Sequence, residues 1–67
     1  MNVPELRAEL ARHNLTIPRF AELVGISKKA MYDKFSERVE FRRNEIAKAK
    51  EILNLSDDKF MFIFFKK

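Results

Sequence analysis

The residues of this chain that could do chemistry are mainly basic, and one group of them falls within a short stretch. Lys28, Lys29, Tyr32 and Asp33 lie close together in the sequence. Lysine can donate hydrogen bonds to guanine O6 or N7, and aspartate can accept one from cytosine N4, so these residues suit the reading of base edges in a DNA major groove. The alternative interpretation is a solvated helix face on which Lys29 and Asp33 form an i,i+4 ion pair.

A second basic group, Arg38, Arg42 and Arg43, follows soon afterwards. The forked guanidinium of arginine matches phosphate geometry, and phosphate contacts fix the register of a protein on DNA without reading its sequence. The alternative is that these arginines only solvate the surface.

Residue types that usually carry catalysis or bind metals are scarce. The chain has no cysteine, one histidine and one glycine. This composition excludes disulfides, thiolate metal sites and a glycine-rich phosphate loop. No Ser/His/Asp constellation is visible either. We therefore expect no catalytic site, no metal site, no cofactor and no small-molecule substrate.

Length and charge narrow the class of protein further. A chain of 67 residues makes a single domain, residues 1–67. A net charge of +4 and an isoelectric point near 9.7 favour an anionic partner, with nucleic acid first. Charged residues interrupt the N-terminal sequence from Glu5 onward, so we expect no signal peptide, no membrane span and a cytoplasmic location.

The elements that must position the basic residues are predicted to be helices. Seven phenylalanines supply apolar mass, whereas the single glycine and two prolines argue against a turn-rich β fold. Residues 16–35 predict two short helices joined by a tight turn. Thr16 can cap the first helix by accepting from the N–H of Arg19, Gly25 can end it in the left-handed conformation, and Ser27 can cap the second.

The second of these helices is expected to direct its polar residues away from the core. Its apolar residues are Met31 and Phe35. A rotation of about 100° per residue places Lys29 and Asp33 on the opposite side, with Tyr32 beside them. Residues that a base edge would meet therefore share one outward face.

Three further helices complete the expected all-α fold. We expect them from about Pro4 to His13, roughly from Arg43 to Leu53, and onward from Ser56. Asn14 is suited to a left-handed stop after the first of them. A polar connector, Ser36 to Glu40, precedes the fourth helix.

The end of the chain, residues 60–65, is almost entirely apolar. As a helix it would bury Phe60, Ile63 and Phe64. Its outward residues would be Met61, Phe62 and Phe65. Exposed apolar residues of this kind are typical of a partner surface, and we expect them to form a dimer interface. A tail folded wholly inward and a β-strand paired across a twofold axis are the alternatives; the helix is favoured because residues 56–58 form a clear helix start.

The combined pattern resembles the Cro/repressor-type, or lambda-repressor-like, helix-turn-helix family of phage and bacterial transcription regulators. The residues that carry the likeness are Leu15-Thr16, Phe20-Ala21, Val24-Gly25-Ile26-Ser27, Met31, Phe41, Glu45-Ile46, Leu53-Asn54-Leu55-Ser56 and Ile63-Phe64-Phe65. The resemblance covers most of the chain. It implies a compact five-helix domain that binds duplex DNA, usually as a dimer.

The resemblance also implies roles for individual residues. Base readout falls to Lys28, Lys29, Tyr32 and Asp33. Contacts to the DNA backbone fall to Thr16, Arg19, Ser27, Arg38, Arg42 and Arg43. Three positions depart from the family pattern. Ile17 stands where many relatives have a glutamine that bonds phosphate, and Arg42 stands where a capping Thr or Ser is common. Asp33 places a carboxylate near the DNA, which repels phosphate unless a cytosine or a neighbouring lysine compensates.

These observations lead to one main functional hypothesis. The chain is expected to regulate transcription in a phage or mobile element by binding a palindromic operator as a homodimer, with the recognition helix Ser27 to Phe35 in the major groove. The alternative is a protein-interaction module, similar to an antirepressor, that uses the Phe-rich C-terminal helix to capture another regulator. An enzyme is disfavoured, because the sequence shows no catalytic constellation.

Overall fold

The computed structural model describes residues 1–65 and contains five α-helices in that range. They are α1 (Val3–Arg12), α2 (Ile17–Val24), α3 (Lys28–Phe35), α4 (Arg43–Ile52) and α5 (Asp57–Phe64). No strand occurs among the described residues. The expectation of an all-α chain is therefore confirmed for this range, and α5 replaces the alternative of a C-terminal strand.

Three of the predicted N-caps are present as hydrogen bonds. The hydroxyl of Thr16 accepts from the N–H of Arg19 at 3.2 Å. Ser27 and Ser56 accept in the same way, at 3.0 and 3.1 Å, from the third residue after each of them. Each cap satisfies an N–H that the helix itself cannot pair, so the starts of α2, α3 and α5 follow from local sequence.

The other two helices begin by means that the sequence reading did not identify. Asn2 caps α1, because its side-chain oxygen accepts from the N–H of Glu5 at 3.1 Å. At the start of α4 the carboxylate of Glu45 accepts from the backbone N–H of Arg42 at 2.8 Å. As a result α1 begins one residue before Pro4, while α4 begins at Arg43 as expected.

Four helices end with the same left-handed turn. The residues with positive φ are Asn14 (55°), Gly25 (92°), Glu37 (61°) and Asn54 (49°). In each case the next N–H returns to the carbonyl five residues back, as from Ile26 to Ala21 at 3.0 Å. This bond pairs a helix carbonyl that would otherwise be open and reverses the chain sharply. The prediction for Gly25 and Asn14 is confirmed.

The core draws apolar residues from all parts of the described chain. The largest fully buried side chains are Phe20, Leu6, Met31, Leu53 and Ile63. Burial of such a side chain contributes roughly 1.5–3 kcal/mol, which makes this set the main source of stability in so short a chain. The rings of Phe20 in α2 and Phe35 in α3 pack edge to face, with their centroids 6.4 Å apart. This contact holds the two helices against each other.

Among residues 1–65, no helix combines the length and the apolar composition that crossing a membrane requires. Their packing gives a body of 28 × 24 × 21 Å.

Candidate nucleic-acid interface

The outward face of α3 displays the residues expected to read bases. Because Met31 and Phe35 are buried on the inner side, Lys29 and Tyr32 point away from the core and are exposed. Lys28 is exposed as well, at the first position of the helix. The helix is eight residues long and begins directly after the short turn that follows α2. The two helices therefore present an exposed row of polar side chains on the side of α3 that faces away from the hydrophobic core.

Asp33 differs from its neighbours because its carboxylate is ion-paired with two cations. Lys29 Nζ lies 3.1 Å from one Asp33 oxygen, and Arg38 Nη1 lies 3.7 Å from the other. The side chain of Asp33 is 22% exposed, against 84% for Lys29 and 76% for Arg38. The i,i+4 pair of the alternative interpretation is thus present, and the three charges together remain net positive.

The two capping hydroxyls at this surface are also close to further cations. Thr16, Arg19 and Lys28 line one shallow depression between the starts of α2 and α3. The hydroxyls of Thr16 and Ser27 accept cap bonds, but each still carries an O–H that can donate to a phosphate oxygen. Arg19 is ion-paired with Glu22, so a phosphate would have to compete with that carboxylate.

Arg42 and Arg43 form the free cationic end of the surface. Both are exposed at the start of α4. Together with Lys28 they form no ion pair with any carboxylate of residues 1–65. The N-terminus of α4 adds the positive end of its helix dipole at the same place. These groups have charge available for an anionic partner.

The sequence reading missed a buried ion pair beside this surface. Lys34 and Glu45 are 4% and 6% exposed, and Lys34 Nζ lies 3.2 Å from Glu45 Oε1. A signal was available, since Lys34 falls next to Phe35 and three residues after Met31, on the inward face of α3. A lysine at such a position needs a buried partner.

The outward face of α5 is the second candidate site. Met61, Phe62 and Phe65 are 48%, 41% and 57% exposed, whereas Ile63 is fully buried. A groove of about 470 Å³ runs beside Phe65, between the end of α5 and residues 37–41. The predicted outward trio therefore lies at the surface.

No group of three or more His, Cys, Asp or Glu side chains within residues 1–65 is arranged to hold a metal ion.

Comparison with known proteins gives one match. A family model described as "Protein of unknown function (DUF739)" matches residues 6–67. No curated protein matches the chain, and no solved structure matches it. Because the matched range covers nearly the whole sequence, the chain belongs to the DUF739 family of proteins of unknown function.

Proposed function

We propose that this chain is a sequence-specific DNA-binding protein, a phage or mobile-element transcription regulator of the Cro/repressor, lambda-repressor-like type. The observation that carries the proposal is the pair α2 and α3. The two helices are joined by a short turn through left-handed Gly25, and the second helix exposes Lys28, Lys29 and Tyr32. A helix held in this way can enter a major groove with its first residues at the base edges.

The charge distribution supports the same proposal. Lys28, Arg42 and Arg43 have no described carboxylate partner, so phosphates can take that role without breaking an ion pair. Each phosphate neutralised releases condensed counterions, which is the main source of affinity between proteins and DNA. Arg38 and Arg19 can join the backbone contacts by exchanging their carboxylates for phosphates.

Base readout is assigned to Lys29 and Asp33, with Lys28 and Tyr32 beside them. Lys29 can donate to guanine once it leaves Asp33, and Asp33 can then accept from cytosine N4. Without DNA, Arg38 Nη1 lies 3.7 Å from Asp33, and an arginine this near can offset the repulsion between the carboxylate and the DNA phosphates even when it binds a phosphate itself.

Two copies of the chain are proposed to act together. One domain covers only a few base pairs, and paired recognition helices must lie about 34 Å apart to meet successive turns of the major groove. The body measures 28 × 24 × 21 Å, so two adjacent copies fit that spacing. Met61, Phe62 and Phe65 are the proposed contact between the copies.

Selection from a library of random DNA duplexes tests this proposal. The wild-type chain should enrich one motif with twofold symmetry, because a symmetric dimer reads both half-sites alike. Recovery of duplexes with no shared motif would contradict sequence-specific binding.

The exposed side chains of Met61, Phe62 and Phe65, with the groove beside Phe65, favour a second candidate function. A protein-interaction module would use this face to hold another regulator. Such a module would bind DNA weakly, and its affinity for DNA would depend little on salt concentration.

A further inference from the structure

We propose that the buried Lys34–Glu45 ion pair is a positioning device that fixes the arginine-bearing connector, residues 36–42, relative to the outward face of α3. Lys34 and Glu45 are positioning residues in this account, since neither is exposed enough to touch DNA. The inference rests on the proposed function and deepens it.

The pair joins the end of one helix to the start of the next. Lys34 lies in the last turn of α3 and Glu45 in the first turn of α4. Glu45 Oε1 lies 3.2 Å from Lys34 Nζ as an ion pair and accepts a hydrogen bond from the backbone N–H of Arg42 at 2.8 Å. One carboxylate oxygen therefore holds both α3 and the last residue of the connector.

Lys34 also holds the middle of the connector. Its Nζ lies 3.4 Å from the carbonyl oxygen of Glu40 and 5.7 Å from the centre of the Phe41 ring. The ammonium group is thus shared among a carboxylate, a carbonyl and an aromatic face. No buried side-chain nitrogen or oxygen of the described residues lacks a partner, so the arrangement is fully satisfied.

The beginning of the connector is fastened separately. Glu37 adopts a left-handed φ of 61°, and the N–H of Arg38 donates to the carbonyl of Asp33 at 3.0 Å. The connector therefore leaves α3 by a fixed turn and is tied back to α3 through Lys34. Arg38 and Arg42 are consequently carried at a set distance from the exposed residues of α3.

Stability alone is a weak reason for such a pair. Burying two charges costs desolvation free energy, and the attraction between the charges does little more than offset that cost. A pair of well-packed apolar residues at the same positions is often as stabilising as the ion pair. A charged pair differs from an apolar one because its groups are satisfied in a single arrangement. That property suits a device that must align Arg38 and Arg42 with the DNA backbone while α3 reads bases.

The test is the double variant Lys34→Met/Glu45→Gln, in which Gln can still accept from the N–H of Arg42. The matched control is Lys50→Met/Asp57→Asn, which removes an exposed ion pair of 2.7 Å with the same change in net charge. The probe is a duplex enriched by the wild-type chain. Stability is measured by urea unfolding, and amide hydrogen exchange is measured without DNA.

We expect the double variant to bind the duplex about tenfold more weakly, with unchanged base preference and a salt slope lower by about one. The urea midpoint should stay the same or rise. The amides of Arg38 and Arg42 should exchange faster, while that of Met31 in α3 should not. The control variant should match the wild type in affinity, base preference, salt slope and amide exchange.

Unchanged affinity together with unchanged exchange would overturn the inference, as would a loss of affinity that only follows a loss of stability. If the wild-type chain enriches no duplex, the proposed function fails. The inference then loses its DNA role, and the exchange measurement still decides whether the pair orders the connector.

Discussion

At the scale of single residues, Asp33 joins the proposed reading face of α3 to the connector that follows it. Its carboxylate contacts Lys29 from the reading face and Arg38 from the connector. Exposed ion pairs of this kind contribute about 0–1 kcal/mol, so exchange of either cation onto DNA costs little. The pair observed without DNA is therefore compatible with base readout by the same lysine.

Lys29→Ala and Arg43→Ala should have different effects on DNA recognition. Loss of Lys29 should change the selected base at one position of each half-site, since a good base contact contributes about 1–3 kcal/mol. Loss of Arg43 should weaken all duplexes alike and leave the selected motif intact. Selection from a random library distinguishes the two. An unchanged motif for Lys29→Ala would show that the reading face is assigned wrongly.

At the scale of elements, the left-handed helix ends should respond oppositely to two substitutions. Gly25→Ala should destabilise the chain by about 1–2 kcal/mol, because an L side chain is disfavoured at a φ of 92°. Space is not the cause, since an added Cβ would lie 3.7 Å from Lys48 Nζ, an ordinary contact. Glu37→Gly should instead stabilise by up to about 1 kcal/mol, because it removes a side chain from the same conformation.

Urea unfolding measures both changes. Equal shifts of the midpoint in the same direction would contradict the account of these turns.

The contact between α1 and α5 predicts a pH dependence of stability. A hydrogen bond from Lys59, at 2.9 Å, and a second one from Arg12 hold the pKa of Glu5 below its ordinary value of 4.5. A carboxyl group with a lowered folded-state pKa stabilises the fold above its unfolded pKa, and this contribution is lost as the pH falls through the folded-state pKa. Glu5→Gln should therefore be less stable than the wild type at neutral pH and should lose less stability on acidification.

Asp57→Asn is the control for this prediction. A hydrogen bond from Lys50 lowers the pKa of Asp57 as well, but that side chain is 90% exposed and solvent screens the pair. Asp57→Asn should therefore change the loss of stability on acidification less than Glu5→Gln does. Urea midpoints at about pH 7 and about pH 3 provide the comparison; equal acid sensitivity of Glu5→Gln and wild type would contradict the assigned role.

The sequence predicted elements best where short-range chemistry decides them. The caps at Thr16, Ser27 and Ser56 could be predicted because a capping hydroxyl needs only a backbone N–H three residues away. The turn at Gly25 could be predicted because glycine favours the left-handed conformation. Glu37 could not be anticipated, since glutamate has no preference for positive φ. The Lys34–Glu45 pair was missed for a different reason: its members meet only after α3 and α4 have packed together. The same limit applies to the candidate site, where the Lys29–Asp33 pair could be predicted from its i,i+4 spacing but the contact of Arg38 with Asp33 could not.

At the scale of the whole molecule, the apolar face of α5 predicts self-association. Burying side chains such as Met61, Phe62 and Phe65 contributes roughly 1.5–3 kcal/mol each, enough for a weak to moderate dimer once the entropy of association is subtracted. Phe62→Glu should give a folded monomer with unchanged helical circular dichroism. Leu23→Glu is the matched control, since Leu23 is equally exposed on α2 and should leave association unchanged.

Sedimentation equilibrium without DNA measures this association. A wild-type chain that stays monomeric at high micromolar concentration would remove α5 from the account of dimerisation.

The central claim, that this basic chain binds duplex DNA through Lys28, Arg42, Arg43 and the outward face of α3, is tested most directly by the salt dependence of its affinity for a duplex of the selected motif. If a dimer neutralises about six to ten phosphates, affinity should fall by roughly 10³ to 10⁵ between about 50 and 200 mM salt. Replacing both arginines by neutral residues, Arg42→Gln with Arg43→Gln, should reduce that slope, because two phosphate-binding charges are removed. A flat titration, or no measurable binding at the lowest salt, would contradict the claim.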